Sequence, residues 1–174
     1  AIPSIIYGMW GLFYLAPIMQ DMFGGSGIGL LTAGVVLAIM IIPFMAAITR
    51  DSMYATPDVL KESAYALGAT KFEVIKDVVI PYSKTGVIGS IILALGRALG
   101  ETMAVAFLIG SVFRYPDNVT DPTTSIPVVL ANNFAEAIDL ELSSMFFLAL
   151  ILFFISFAII FIAKFYFLKG NSHV

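Results

Sequence analysis

The chain has 174 residues, 60% of them hydrophobic and 12% charged, with a mean hydropathy of +0.98. That balance excludes an ordinary soluble domain and places the chain in a bilayer. A net charge of −3 without a dense basic run leaves no electrostatic footprint for nucleic acid. With no Cys and one His, His173 in what reads as a frayed tail, nothing supports disulfides, thiolate metal sites or Cys and His nucleophiles.

The sequence opens Ala1-Ile2-Pro3-Ser4, with neither an initiator Met nor a basic leader, and so reads as the later part of a longer subunit whose first helices are missing. Crossing a hydrocarbon core of ~30 Å takes roughly 20 apolar residues. Ile2 to Met19 meets that test marginally, with Tyr7, Trp10 and Tyr14 as interfacial or packing aromatics. Gln20 to Gly27 is expected to be a turn. Ile28 to Thr49 is uncharged and holds Pro43, which predicts a kinked span.

From Arg50 to Lys84 five basic and five acidic residues mix, as in a segment that lies in water. Pro57-Asp58 is suited to open a helix ending at Gly68 in the C′ position. Thr70 with Glu73 three residues on predicts a capping box for a second short helix, which is expected to stop before Pro81. The product is a helix-turn-helix at the membrane surface.

Thr85 to Gly110 reads as a third apolar span, interrupted by Arg97 and Glu101. Gly110 to Ser144 is a polar loop, with an amphipathic helix expected over Ile126 to Ile138. Met145 to Leu168 is the last span. Basic residues cluster in Arg50 to Lys84 and at Lys164 and Lys169, whereas the Gly110 to Ser144 loop holds only Arg114. The positive-inside rule therefore puts the surface helix pair and the C-terminus on the cytoplasmic side. The expected fold is an all-α polytopic membrane bundle with four spans.

Arg97 and Glu101, four residues apart, would share a helix face, with Arg97 about 16 Å along the helix from Gly86 and near the bilayer midplane. An ionised Arg facing lipid at that depth is unfavourable by roughly 2.5 to 3.5 kcal/mol, so it is expected to face protein or water. Gly96 and Gly100 form a G-x-x-x-G pair suited to a helix seam. Two readings stay open: Arg97 supplies positive potential to an anion pathway with Glu101 holding it, or the two form a structural intramembrane salt bridge. Thr102 is a further candidate for the same wall.

The stretch Glu62-Ser63-Ala64-Tyr65-Ala66-Leu67-Gly68, followed after nine residues by Val78-Val79-Ile80-Pro81, resembles the cytoplasmic EAA loop of ABC importer permeases. Ser63 stands for the first Ala of that pattern, Val78 for its Ile and Ile80 for its Leu. The bland alternative is an amphipathic interfacial hairpin. Gly96-Arg97-Ala98-Leu99-Gly100-Glu101-Thr102-Met103-Ala104-Val105 is similar to the helix after the EAA loop in PstC-type permeases of phosphate-specific importers, and further matching stretches cover nearly the whole chain.

This resemblance implies a type I importer transmembrane domain over residues 1–174, with residues 50–84 as its coupling loop. Its implied partners are a PstA-like sister permease, a PstB-like ATPase dimer and an external PstS-like phosphate-binding protein, besides membrane lipid and inorganic phosphate. By the same resemblance, Arg97, Glu101 and Thr102 would line the substrate pathway, while Glu62, Ser63, Ala64, Gly68 and Pro81 would couple to the ATPase. The chain carries no G-x-x-x-x-G-K-[ST] phosphate loop, so ATP and Mg are expected on the partner ATPase and no catalyst or cofactor site on this chain. Importers of sulfate, molybdate or phosphonate, and an ion-coupled secondary transporter, are the alternatives.

Overall fold

The computed structural model describes residues 3–169, with side chains to 165. His173 and the expected start of the first span at Ile2 lie outside them. The described residues are almost entirely helical: α1 (Ser4–Trp10), α2 (Ala16–Phe23), α3 (Leu30–Tyr54), α4 (Asp58–Ala66), α5 (Lys71–Glu73), α6 (Ile80–Leu99), α7 (Met103–Leu108), α8 (Ile126–Asn133) and α9 (Asp139–Lys169). Two π-helical turns, Gly11–Leu15 and Val74–Val79, join α1 to α2 and α5 to α6. The chain divides into two compact units, residues 1–41 with 97–158 and residues 42–96 with 159–174.

Three helices among the described residues are long and apolar enough to cross a membrane: Leu30–Tyr54, Lys71–Leu99 and Asp139–Phe165. The marginal first segment is helical but is not one of them, and its helix runs past the expected end to Phe23. The turn is thereby shortened to the glycines after it, and Gly24, Gly25 and Gly27 all take positive φ. The last span begins six residues earlier than expected, at Asp139, and α8 stops at Asn133, leaving Ile138 72% exposed.

Proline explains the main departure from expectation. The second surface helix does not stop before Pro81 but continues into the third span. Proline lacks an N–H and its ring strikes the carbonyl four residues back. Here the turn before it is π-helical: Ile80 donates to the carbonyl of Ile75, five residues back. The same device precedes Pro17, where Ala16 donates to Gly11. A widened turn moves the obstructed carbonyl aside and lets the helix pass through.

In the first unit the core is Ala33, Val36, Val105, Leu108, Ile109 and Val128, with Tyr7, Leu12 and Leu15 against it. Glycine sets the α1–α7 approach: a β-carbon on Gly8 would lie 3.0 Å from the Phe107 ring and 3.1 Å from Ala104 Cα. The 110–125 loop closes the amino end of α3. Gly29 donates to the Leu108 carbonyl (2.9 Å), Leu30 to Asp121 (3.4 Å) and Leu31 to Val119 (2.8 Å).

Candidate functional site

The first candidate region is the surface helix pair in the second unit. α4 ends as the glycine predicts: Gly68 has φ +89°, its N–H donates to the Tyr65 carbonyl (2.9 Å), and the Ala69 N–H reaches back to Ala64 (3.1 Å). That pair of bonds is the Schellman motif. A β-carbon at Gly68 would meet nothing within 4 Å, so the backbone conformation, not space, is what asks for glycine. The capping box also forms. Thr70 donates its N–H to Glu73 Oε2 (2.7 Å), and Glu73 returns its own N–H to Thr70 Oγ1 (3.4 Å).

Of the predicted coupling residues, Glu62 and Ser63 are exposed and Ala64 half-buried on α4, Gly68 closes it, and Pro81 lies exposed on α6. Ser63 donates its hydroxyl to the Val59 carbonyl (2.7 Å), and Lys61 pairs with Asp58 (2.9 Å). α4 packs on the π turn 74–79, with Val74 2% exposed. Sequence reasoning missed the apolar groups shown outward here: Leu67 is 90% exposed, Phe72 73% and Val59 70%. Their signal was apolar residues within an otherwise charged insert.

The second candidate region contradicts the expectation of one helix through Gly110. α6 ends at Leu99, Gly100 to Thr102 is non-helical, and α7 starts at Met103. Arg97 and Glu101 therefore do not share a helix face. Arg97 is exposed in the last turn of α6, where a cation complements the helix dipole. Glu101 donates its backbone N–H to Ala98 (3.3 Å) and lines an apolar cavity of about 320 Å³ with Ala33, Leu37 and Val105. Gly100 and Thr102 line a second cavity of about 470 Å³ with Leu130 and Phe134. The Thr102 hydroxyl donates to Gly100 (3.3 Å), the local backbone bond common for Thr. Of the glycine pair, Gly96 meets another helix: a β-carbon there would lie 3.3 Å from Ile160.

The polar loop of the first unit has a built interior. The Asp121 carboxylate accepts from the N–H groups of Asp117 (3.1 Å) and Asn118 (2.8 Å), and Thr123 donates its hydroxyl to the Arg114 carbonyl (3.0 Å). Arg114 pairs with Asp117 at 2.5 Å, while Phe113 and Tyr115 point outward. No group of His, Cys, Asp and Glu among the described residues could hold a metal ion.

A helical membrane chain with a doubly capped surface helix pair between two spans defines a class, and the family comparison agrees with it. The model of binding-protein-dependent transport system inner membrane components matches residues 1–168, and the chain belongs to that family. Within it, the chain is similar to the phosphate transport system permease protein PstC of Pasteurella multocida, 51% identical over 94% of this chain and 58% of that protein. PstC of Mesorhizobium japonicum is 49% identical over 98% and 59%, and the probable PstC of Methanocaldococcus jannaschii 38% identical over 99% and 61%. The chain thus spans about three fifths of the length of these curated relatives. No solved structure matches.

Proposed function

We propose that this chain is a membrane-spanning portion of a permease subunit in an ATP-driven importer of inorganic phosphate. The observation that carries the reading is 51% identity to a phosphate transport permease along 94% of the chain. The surface helix pair supports it physically. A soluble ATPase moves a membrane subunit only through something stiff that stands out of the bilayer, and a short helix closed by Gly68 and followed by the Thr70 capping box is such an element. Its exposed Leu67, Val59 and Phe72 give a partner apolar surface to bury. In this reading ATP and Mg belong to a separate ATPase dimer, the pathway is shared with a sister permease, and an external binding protein delivers phosphate. The helix pair and the C-terminus face the cytoplasm, as the basic residues ask.

Arg97 provides the positive charge a phosphate pathway needs, and Glu101 and Thr102, set in the helix break beside it in sequence, give polar groups at the same level of the chain. Binding here must stay weak, because cargo has to leave. ATP binding and hydrolysis bias the outward-open and inward-open states through the helix pair.

The test is labelled phosphate uptake by phosphate-starved cells that lack the intact gene, with and without the restored full-length subunit, before and after ATP depletion. Restored, ATP-dependent uptake that excess sulfate does not inhibit supports the proposal. No restoration at normal membrane abundance withdraws phosphate as the cargo, and uptake that survives ATP depletion but collapses with the proton gradient withdraws the importer. Arg97→Gln is expected to lower uptake more than abundance; a parallel fall in both assigns Arg97 to structure.

A further inference from the structure

Within the second unit, α3 and α6 meet at hydroxyls and a glycine. Thr49 and Ser90 share a hydrogen bond of 2.8 Å between their hydroxyls. One turn along, a β-carbon on Gly86 would lie 2.5 Å from Ser52 Cβ, so the backbones approach as closely as glycine permits. One turn further along α6, Ser83 is 4% exposed. Residues 49 and 52 on α3 and residues 83, 86 and 90 on α6 follow i, i+3 and i, i+3, i+7 spacing, which keeps each set on one helical face.

The direction of the cross-helix bond can be read. The Ser90 hydroxyl has one proton, and it goes to the Val87 carbonyl at 2.7 Å. Thr49 is therefore the donor and Ser90 the acceptor. Ser52 and Ser83 likewise give their protons to their own helices, at Ile48 (2.9 Å) and Val79 (2.7 Å). The three serine hydroxyls are thus satisfied within their own helices, and the Thr49 bond is the directional tie across the seam. It joins the stem that leads into α4 to the helix that carries Arg97 in its last turn.

We infer that Thr49, Gly86 and Ser90 are positioning residues for energy coupling: their seam locks α6 to the stem of the surface helix pair, so that displacement of α4 reaches the end of α6 without a change of register. α4 is seated on the π turn 74–79 at the other side of the same block, so the helix pair is held through both of its connections. This inference rests on the coupling role proposed above.

The deciding experiment uses the assembled importer, with the full-length subunit, in proteoliposomes. Phosphate uptake per ATP hydrolysed is compared for wild type, Thr49→Val, Thr49→Ser and Gly86→Ala. Thr49→Val keeps the shape and removes the cross-helix donor without stranding the Ser90 proton. Uptake per ATP is expected to fall roughly three- to ten-fold, the range of one interhelical hydrogen bond in a bilayer, with ATP hydrolysis and abundance retained. Thr49→Ser restores the ratio, and Gly86→Ala lowers it further. An unchanged ratio in Thr49→Val overturns the inference. A second measurement is independent of the cargo: spin labels at residues 67 and 91 keep one separation with and without ATP in wild type and acquire a broader distribution in Thr49→Val. A separation in wild type that shifts with ATP overturns the rigid block even if phosphate is not the cargo. Absence of ATP-driven phosphate uptake in wild type, with that separation constant, strikes the proposed function alone.

Discussion

In residues 1–41 and 97–158 the largest completely buried side chains are Val36, Leu108 and Val128, and among the described residues there only Thr32 is both polar and buried. In residues 42–96 the buried set is Val74, Ile92 and Ala94 together with Thr56, Ser83 and Ser90. Among the described residues, the buried set of the first unit is apolar apart from Thr32, whereas half of the buried residues in 42–96 carry hydroxyls. Dispersion between apolar groups is strong in sum but non-directional, whereas a hydrogen bond between hydroxyls is directional. The difference fits the coupling role proposed above.

The largest expected effect breaks the first half of that comparison. Leu108→Ala leaves a cavity in the apolar core and is expected to lower stability by about 2 kcal/mol or more, seen as a reduced melting temperature of the purified subunit in detergent. Val128→Thr adds a hydroxyl of nearly the same shape to that core without a partner, at a cost of about 1 to 3 kcal/mol. Ser90→Ala in the other unit is expected to cost less, about 0.6 kcal/mol. Equal costs for these two substitutions, measured by the same melts, would erase the distinction between the units.

Gly68→Asp tests the exposed end of α4. With open space around the β-carbon, the penalty is the left-handed backbone alone, about 1 kcal/mol, so the bundle should remain folded while co-purification of the ATPase is lost. ATPase recovery equal to wild type would count against docking at this turn. The most local effect is expected from Thr70→Ala, which removes half of the capping box and should destabilise the start of the Lys71–Leu99 helix by roughly 1 kcal/mol or less, visible as faster amide exchange over residues 71–75.

Local chemistry was legible in the sequence where it acts alone. Gly68 at the C′ position and Thr70 with Glu73 as a capping box form as expected, because each depends on neighbours within five residues. The apolar spans were legible from composition, with Arg50 and Asp51 absorbed into the end of α3. The break at Gly100 to Thr102 was not legible, because apolar periodicity runs straight through it. It is set by distant packing: α7 lies on α1 over Gly8, and its last carbonyl is taken by Gly29. Thr102 before an apolar run was the one local hint of a new helix start. Pro81 misled in the opposite direction, since a stop signal became a passage once a π turn preceded it.

The closure of α3 by the 110–125 loop has a consequence for how the chain sits in lipid. The N–H groups of Gly29, Leu30 and Leu31 are taken by carbonyls of Leu108, Asp121 and Val119, so this end of the helix does not depend on water or headgroups for its hydrogen bonds. A helix that needs an aqueous partner at its end follows the depth of the interface when bilayer thickness changes. One already closed by protein is free to stay where its neighbours hold it, and a thicker or thinner membrane must deform around that end.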